Sequence, residues 1–183
     1  DWKIKNKDGK PGGWYFEFAN EFYPDIDDSA MVLLALKRLD LEEDEEKKAA
    51  AVARAISWIL SMQNEDGGWA AFDKNNTMAL LNAIPFADHN AMLDPACPDI
   101  TGRVVEALAH YGFTLEDEPV KRAVAYLRGR QEKDGSWFGR WGVNYIYGTW
   151  AVLSGLAKVG ISPKESFFRK GVEWLKDHQN RDG

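Results

Sequence analysis

The chain has 183 residues, 45% of them hydrophobic and 28% charged, so it can bury a sizeable core and falls outside the disordered class. Its net charge is −6 and no basic stripe interleaves with its eight Trp, nine Phe and six Tyr, which excludes nucleic acid as a partner. The single Cys97 excludes an internal disulfide or a Cys-rich zinc site, and no apolar run approaches the roughly 18 residues of a membrane-spanning helix.

In chain order, a glycine-rich aromatic segment, 12–18, leads to Pro24 and the acidic run Asp25-Ile-Asp27-Asp28-Ser29-Ala30. The segment 29–36 is apolar on all sides and predicts a buried helix. Residues 40–46 form a polar loop, and the charges from Glu42 to Lys48 are the solvated start of the next helix. There Ala53, Ile56, Trp58 and Ile59 recur at helical spacing and predict an amphipathic helix with one wet face. The motif Gln63-Asn-Glu-Asp-Gly-Gly-Trp69 follows. A long connection comes next, holding Phe86 in Ile84-Pro85-Phe86-Ala87-Asp88, and then Cys97, a small loop residue. A second buried helix is predicted around 104–109 and a second amphipathic one around Val120, Ala123, Val124 and Leu127. The motif returns as Gln131-Glu-Lys-Asp-Gly-Ser-Trp137, a third buried helix covers 148–157, and Gln179-Asn-Arg-Asp-Gly183 begins a third copy. With no initiating Met and a repeat broken off at its end, residues 1–183 read as one piece of a longer protein. His89, His110 and His178 have no metal-ligand spacing.

Buried and half-exposed helices therefore alternate, joined by short loops, and strand patterning is absent. The expected class is all-α: inner and outer helical hairpins of an α/α barrel of the α6–α6 toroid type, here a partial barrel. Gly112 and Gly160 each follow an inner helix, and Gln131 and Gln179 lie 19 residues beyond them, so the second and third repeats are offset by 48. Ile26/Ile100, Leu34/Leu108 and Ala35/Ala109 align the first and second at an offset of 74. This register makes Asp25, Asp99 and Tyr147 equivalent and puts two carboxylates and a phenol on one rim.

The acidic run admits three readings. Asp is favoured at helix N-termini, where it accepts orphan N–H groups and suits the dipole. Carboxylate clusters also suit Mg²⁺. Crowded carboxyls that cannot all ionise leave one of them protonated, which is general-acid chemistry.

Asp25-Ile-Asp27-Asp28-Ser29-Ala30 resembles the initiating motif of class II terpene cyclases, and the Gln-x3-Gly-x-Trp repeats resemble those of the squalene–hopene cyclase family. The approach to the motif, from Gly12-Gly13-Trp14 through Tyr23-Pro24, and Phe138-Gly-Arg-Trp141-Gly-Val-Asn-Tyr145-Ile-Tyr147 are similar as well. The resemblance spans essentially the whole chain and implies cyclisation of squalene, or a similar polyprenoid hydrocarbon, to hopene or hopanol without a cofactor or metal. It implies that Asp27 donates the proton to the terminal alkene, that Asp25 and Asp28 hold the remaining charge, and that Asp99 belongs to the same network. Arg103 stands where the family often has His, and Tyr147 would order the water that reprotonates Asp27. Phe16, Phe72 and Trp141 would line the chamber near the early cations, with Phe72 where many members have Tyr. Phe86 matches a constriction on the substrate's way in. Trp69 and Trp137, with Gln63 and Gln131, would tie one hairpin to the next. The resemblance also implies a peripheral, monotopic protein on the cytoplasmic side of a bacterial membrane, with the membrane contact expected of the whole protein rather than of this segment; a homodimer stays open.

Three other readings compete. A class II diterpene cyclase shares the acidic motif but lacks this density of Gln/Trp repeats. A glycosidase-like α/α barrel also pairs carboxylates with aromatic platforms. A non-catalytic helical scaffold fits the repeats alone, and these 183 residues by themselves are expected to be inactive.

Overall fold

The computed structural model describes residues 2–40, 44–76 and 93–182. Among the described residues six helices account for nearly all of the regular structure: α1 (Ile26–Arg38), α2 (Glu45–Ser61), α3 (Pro98–His110), α4 (Glu118–Gly129), α5 (Asn144–Lys158) and α6 (Ser166–Asp177). Helices α1, α3 and α5 form an inner layer with α3 in the middle, and α2, α4 and α6 each fold back on the inner helix that precedes them. The chain is thus all-α, with the inner and outer hairpins of an α/α barrel. Glu42 and the segment around Phe86 lie outside the described residues.

The helix starts follow from the sequence. Pro24 keeps its neighbourhood extended, and Asp25 caps α1 by accepting the Asp28 N–H at 3.0 Å. Asp27 and Asp28 sit in the first turn, Lys37 and Arg38 in the last, as the helix dipole favours. One element has no counterpart in the sequence pattern, a two-stranded antiparallel ladder pairing β1 (Trp14–Tyr15) with β2 (Pro24–Asp25). Two residues per strand are too few to show alternation. The ladder holds the glycine-rich segment against the start of α1.

The inner helices meet through small residues. A Cβ on Gly102 would lie 2.7 Å from the Ala151 carbonyl oxygen, and one on Gly155 would collide with the Gly102 carbonyl. Backbone therefore touches backbone where α3 crosses α5. The inner layer is not buried on every side: α5 leaves Ile146 and Trp150 half exposed.

The Gln/Trp motifs join the layers. The Trp69 ring N–H donates to the Ile59 carbonyl and the Trp137 ring N–H to the Leu127 carbonyl, both at 2.7 Å, so each ring closes the last turn of an outer helix. The Gln63 amide donates to Gly67 and to Pro119, in the first turn of the next outer helix, and Gln131 does the same with Gly135 and Phe167. The main-chain N–H of each Trp reaches inward, Trp69 to the Thr101 hydroxyl at 3.0 Å and Trp137 to that of Thr149 at 2.9 Å. Trp14 makes the same contact with Ser29 at 2.8 Å.

That likeness extends to a segment the repeat search does not find. A Cβ on Gly12 would strike the Arg54 carbonyl, as one on Gly67 would strike that of Arg122 and one on Gly135 that of Lys170. These three carbonyls occupy equivalent places on α2, α4 and α6. Gly12-Gly13-Trp14 is therefore a further, degenerate instance of the motif's close approach, without the positive φ of Gly67 and Gly135.

Candidate active site

The starts of the three inner helices converge. Asp27, in the first turn of α1, accepts at Oδ2 from Arg103 Nη1 at 3.3 Å. Arg103 projects from α3 and donates through Nη2 to the Tyr147 hydroxyl on α5 at 2.7 Å. Its guanidinium lies over the rings of Tyr147 and Trp150, at 5.4 and 5.7 Å. Asp99, only 1% exposed, accepts at Oδ2 from the Trp141 main-chain N–H at 3.0 Å. Asp25, Asp99 and Tyr147 thus stand at the starts of the three inner helices, and Arg103 links Asp27 on α1 to Tyr147 on α5.

Beside it is a cavity of about 310 Å³ lined by Phe16, Asp25, Asp27, Asp28, Ala71, Phe72, Ile100 and Trp141. Phe72 meets Trp141 edge-on at 6.0 Å and Tyr23 at 6.5 Å. Phe16 lines the cavity yet remains largely exposed. Phe86 lies outside the described residues.

Burial governs the carboxyls. It raises Asp27 above the ordinary carboxylate range, the Arg103 cation opposes this, and the charges of Asp99 and Asp28 raise it further. Burial likewise raises Asp28 against the pull of Arg103. Asp25 is pushed up to about 7, chiefly by burial; its hydrogen bond from Asp28 N–H works the other way. The Tyr147 phenol rises to about 12 through burial and then the charge of Asp27, so it keeps its proton at neutral pH. Asp27 Oδ1 is buried and has no hydrogen-bond partner among the described residues. Its carboxyl therefore offers one oxygen held by a cation and one free, beside an aromatic-walled hollow. No three carboxylate, His or Cys side chains are grouped to hold a metal ion among the described residues.

The raised Asp25 has a consequence for stability. Its unfolded value is near 3.8 and its folded value about 7, so the neutral form's contribution is complete below the first and lost as pH rises through the second. Asp25→Asn keeps a capping oxygen and removes the titration. The variant is expected to unfold at a higher temperature than wild type at about pH 8 and to show no such gain at about pH 4. Thermal unfolding at the two pH values checks this; a gain equal at both would contradict it.

Sequence reading missed Asp94. Buried, it accepts from the main-chain N–H groups of Ala71, Phe72 and Asp73 and so fixes the loop that carries the Phe72 wall. The only local signal is an Asp before Pro95 inside an apolar stretch.

Stacked inner and outer helices with a rim of carboxyls place the chain among α/α-barrel proteins. Comparison with known proteins narrows this. A model of the squalene–hopene cyclase C-terminal domain matches residues 1–183, and the chain belongs to that family. It is 48% identical over 187 residues to the squalene–hopene cyclase of Zymomonas mobilis and 47% over 184 residues to that of Bradyrhizobium diazoefficiens; each match covers 100% of this chain and 28% of the relative. It is also 47% identical over 160 residues to the squalene–hopene cyclase of Alicyclobacillus acidocaldarius, covering 87% of this chain and 25% of the relative. The chain spans little more than a quarter of the length of these curated relatives.

Proposed function

We propose that residues 1–183 form the acid-bearing part of an α/α barrel in a triterpene cyclase of the squalene–hopene type, whose whole chain converts squalene to a hopanoid skeleton. The observation that carries this reading is the Asp27 carboxyl: one oxygen on Arg103, the other buried without a hydrogen-bond partner, on a residue that lines a hollow walled by Phe16, Phe72 and Trp141. An isolated alkene is a very poor base, so its protonation needs a neutral carboxylic acid, a dry site and contact. Burial raises Asp27 towards its protonated form, and Arg103 steadies the carboxylate left behind, which makes the acid stronger. The alkene takes the Oδ1 proton, the O–H electron pair stays on Asp27, and a tertiary cation forms that the remaining double bonds attack in turn. Ring faces stabilise that cation by about 2 kcal/mol each when desolvated and are too weakly basic to quench it. The last cation loses its proton to water, so Asp27 must be recharged each cycle, and Tyr147, still protonated, orders the incoming water.

The Gln/Trp ties of Gln63, Trp69, Gln131 and Trp137 hold the inner helices in register for this network. No described helix is long and apolar enough to cross a membrane, and a monotopic contact of the whole protein with the cytoplasmic leaflet supplies the hydrocarbon. Full-length protein given squalene or geranylgeranyl diphosphate decides the substrate class: polycyclic product from squalene alone is expected. Turnover of the diphosphate alone would replace this reading with a diterpene cyclase.

A further inference from the structure

One buried acid has no part in the proton chemistry. Asp94 is 6% exposed and stands outside the cavity's lining, and its hydrogen bonds among the described residues run to one loop. Oδ1 accepts the Ala71 main-chain N–H at 3.1 Å, and Oδ2 accepts those of Phe72 and Asp73. Three successive N–H groups gathered on one carboxyl fix the path of the loop that bears them. That loop touches the site on two sides. The Ala71 carbonyl accepts the Ile26 N–H at 2.8 Å and so caps the start of α1, between Asp25 and Asp27. Phe72 lines the same cavity as Asp27, and its ring meets Trp141 edge-on at 6.0 Å. The neighbouring wall is tied to the same place, because the Leu93 carbonyl accepts from Arg140 Nη2 at 2.8 Å, one residue before Trp141.

We propose that Asp94 is a positioning residue: through the loop 71–73 it sets where the Phe72 ring stands relative to the Asp27 carboxyl, and with it how many rings form before the cation is lost. This rests on the reading of Asp27 as the acid. The first cation arises beside Asp27, and Phe72 lines that cavity, so its ring is among the first to meet the positive charge. Because the same loop caps α1, ring and acid are set from one anchor. A cation that the ring does not hold takes the nearest alternative. A C–H bond next to the cationic carbon breaks, its electron pair becomes a new C=C bond, and the proton returns to the Asp27 carboxylate. The product then leaves with one or two rings.

Full-length wild type, Asp94→Asn, Phe72→Leu and the double variant are given squalene, and the products are quantified by ring number, with folding checked by circular dichroism. In Asp94→Asn an amide N–H2 replaces one acceptor oxygen and confronts main-chain N–H groups, so the loop must shift. The ratio of one- and two-ring products to the fully cyclised product is expected to rise about tenfold. Phe72→Leu is expected to raise it as well. Adding Asp94→Asn to Phe72→Leu is expected to raise it no further, since Asp94 acts through that ring. A general loss of stability would lower the total yield and leave the ratio alone. An unchanged ratio in Asp94→Asn, or the same rise again once the Phe72 ring is gone, would overturn the assignment. If Asp94→Asn does not fold, Asp94→Glu, whose acceptor oxygens lie one methylene further out, makes the same comparison. Failure of the acid itself reads differently: Asp27→Asn would then still turn squalene over, whatever the ratio at Asp94.

Discussion

Full-length protein carrying Asp27→Asn is expected to lose squalene turnover by on the order of ten-thousandfold while folding like wild type. The amide is nearly isosteric and can still accept from Arg103 Nη1, so the 3.3 Å contact that ties α1 to α3 can persist. What it lacks is an acidic proton, and neither neighbour replaces it. Asp25 is spent on capping α1, and Asp99 accepts the Trp141 N–H and is not among the residues that line the cavity. Steady-state product formation, with circular dichroism as the control, reads the result. Turnover within about tenfold of wild type would place the acid elsewhere.

The largest effect on stability is expected at Gly155. Helices α3 and α5 approach until the Gly155 Cα faces the Gly102 carbonyl, and a methyl there would overlap that oxygen. Its neighbour in the contact is backbone on a helix packed on both sides, so no flexible side chain can yield. Gly155→Ala must push the helices apart and is expected to cost about 3 kcal/mol, at the upper end for overpacking. The separation also moves Arg103 relative to Tyr147, which α3 and α5 hold at 2.7 Å, so activity falls with stability. Denaturant titration of the full-length variant measures the first effect; an unchanged midpoint would show that the helices can part freely.

The three inner helices were legible because each is a nearly unbroken apolar run, and the outer ones because Trp58, Tyr126 and Trp174 recur at a fixed distance before a Gln. Register alone brought Asp25, Asp99 and Tyr147 to one rim, since equivalent residues of stacked hairpins share a level. Arg103 as the bridge between Asp27 and Tyr147 was not legible this way: it lies one turn along α3, and its reach depends on side-chain direction. Resemblance, not spacing, named it. Asp94 escaped because its partners, Ala71 to Asp73, are more than twenty residues distant and bound through main-chain N–H groups, which have no sequence signature. The instance at Gly12-Gly13-Trp14 escaped for another reason. Its Gln is absent, and only the carbonyl that each glycine presses against reveals the equivalence.

The fourfold crowding of acids also explains why the motif needs more than helix capping. One Asp suffices for the cap, and Ser29, whose hydroxyl receives the Trp14 N–H, locks the motif to the strand before it. Of the remaining carboxyls, Asp27 and Asp28 lie near the Arg103 cation, and burial raises both above the ordinary carboxylate range against its pull.

Infrared difference spectroscopy of full-length wild type against Asp27→Asn, at neutral pH and without substrate, looks at the Asp27 proton directly. A neutral-carboxyl C=O band present in wild type and missing in the variant is the predicted result. A wild-type spectrum in which the variant removes only a carboxylate band would mean that Asp27 is ionised at rest, and an ionised Asp27 cannot start the reaction.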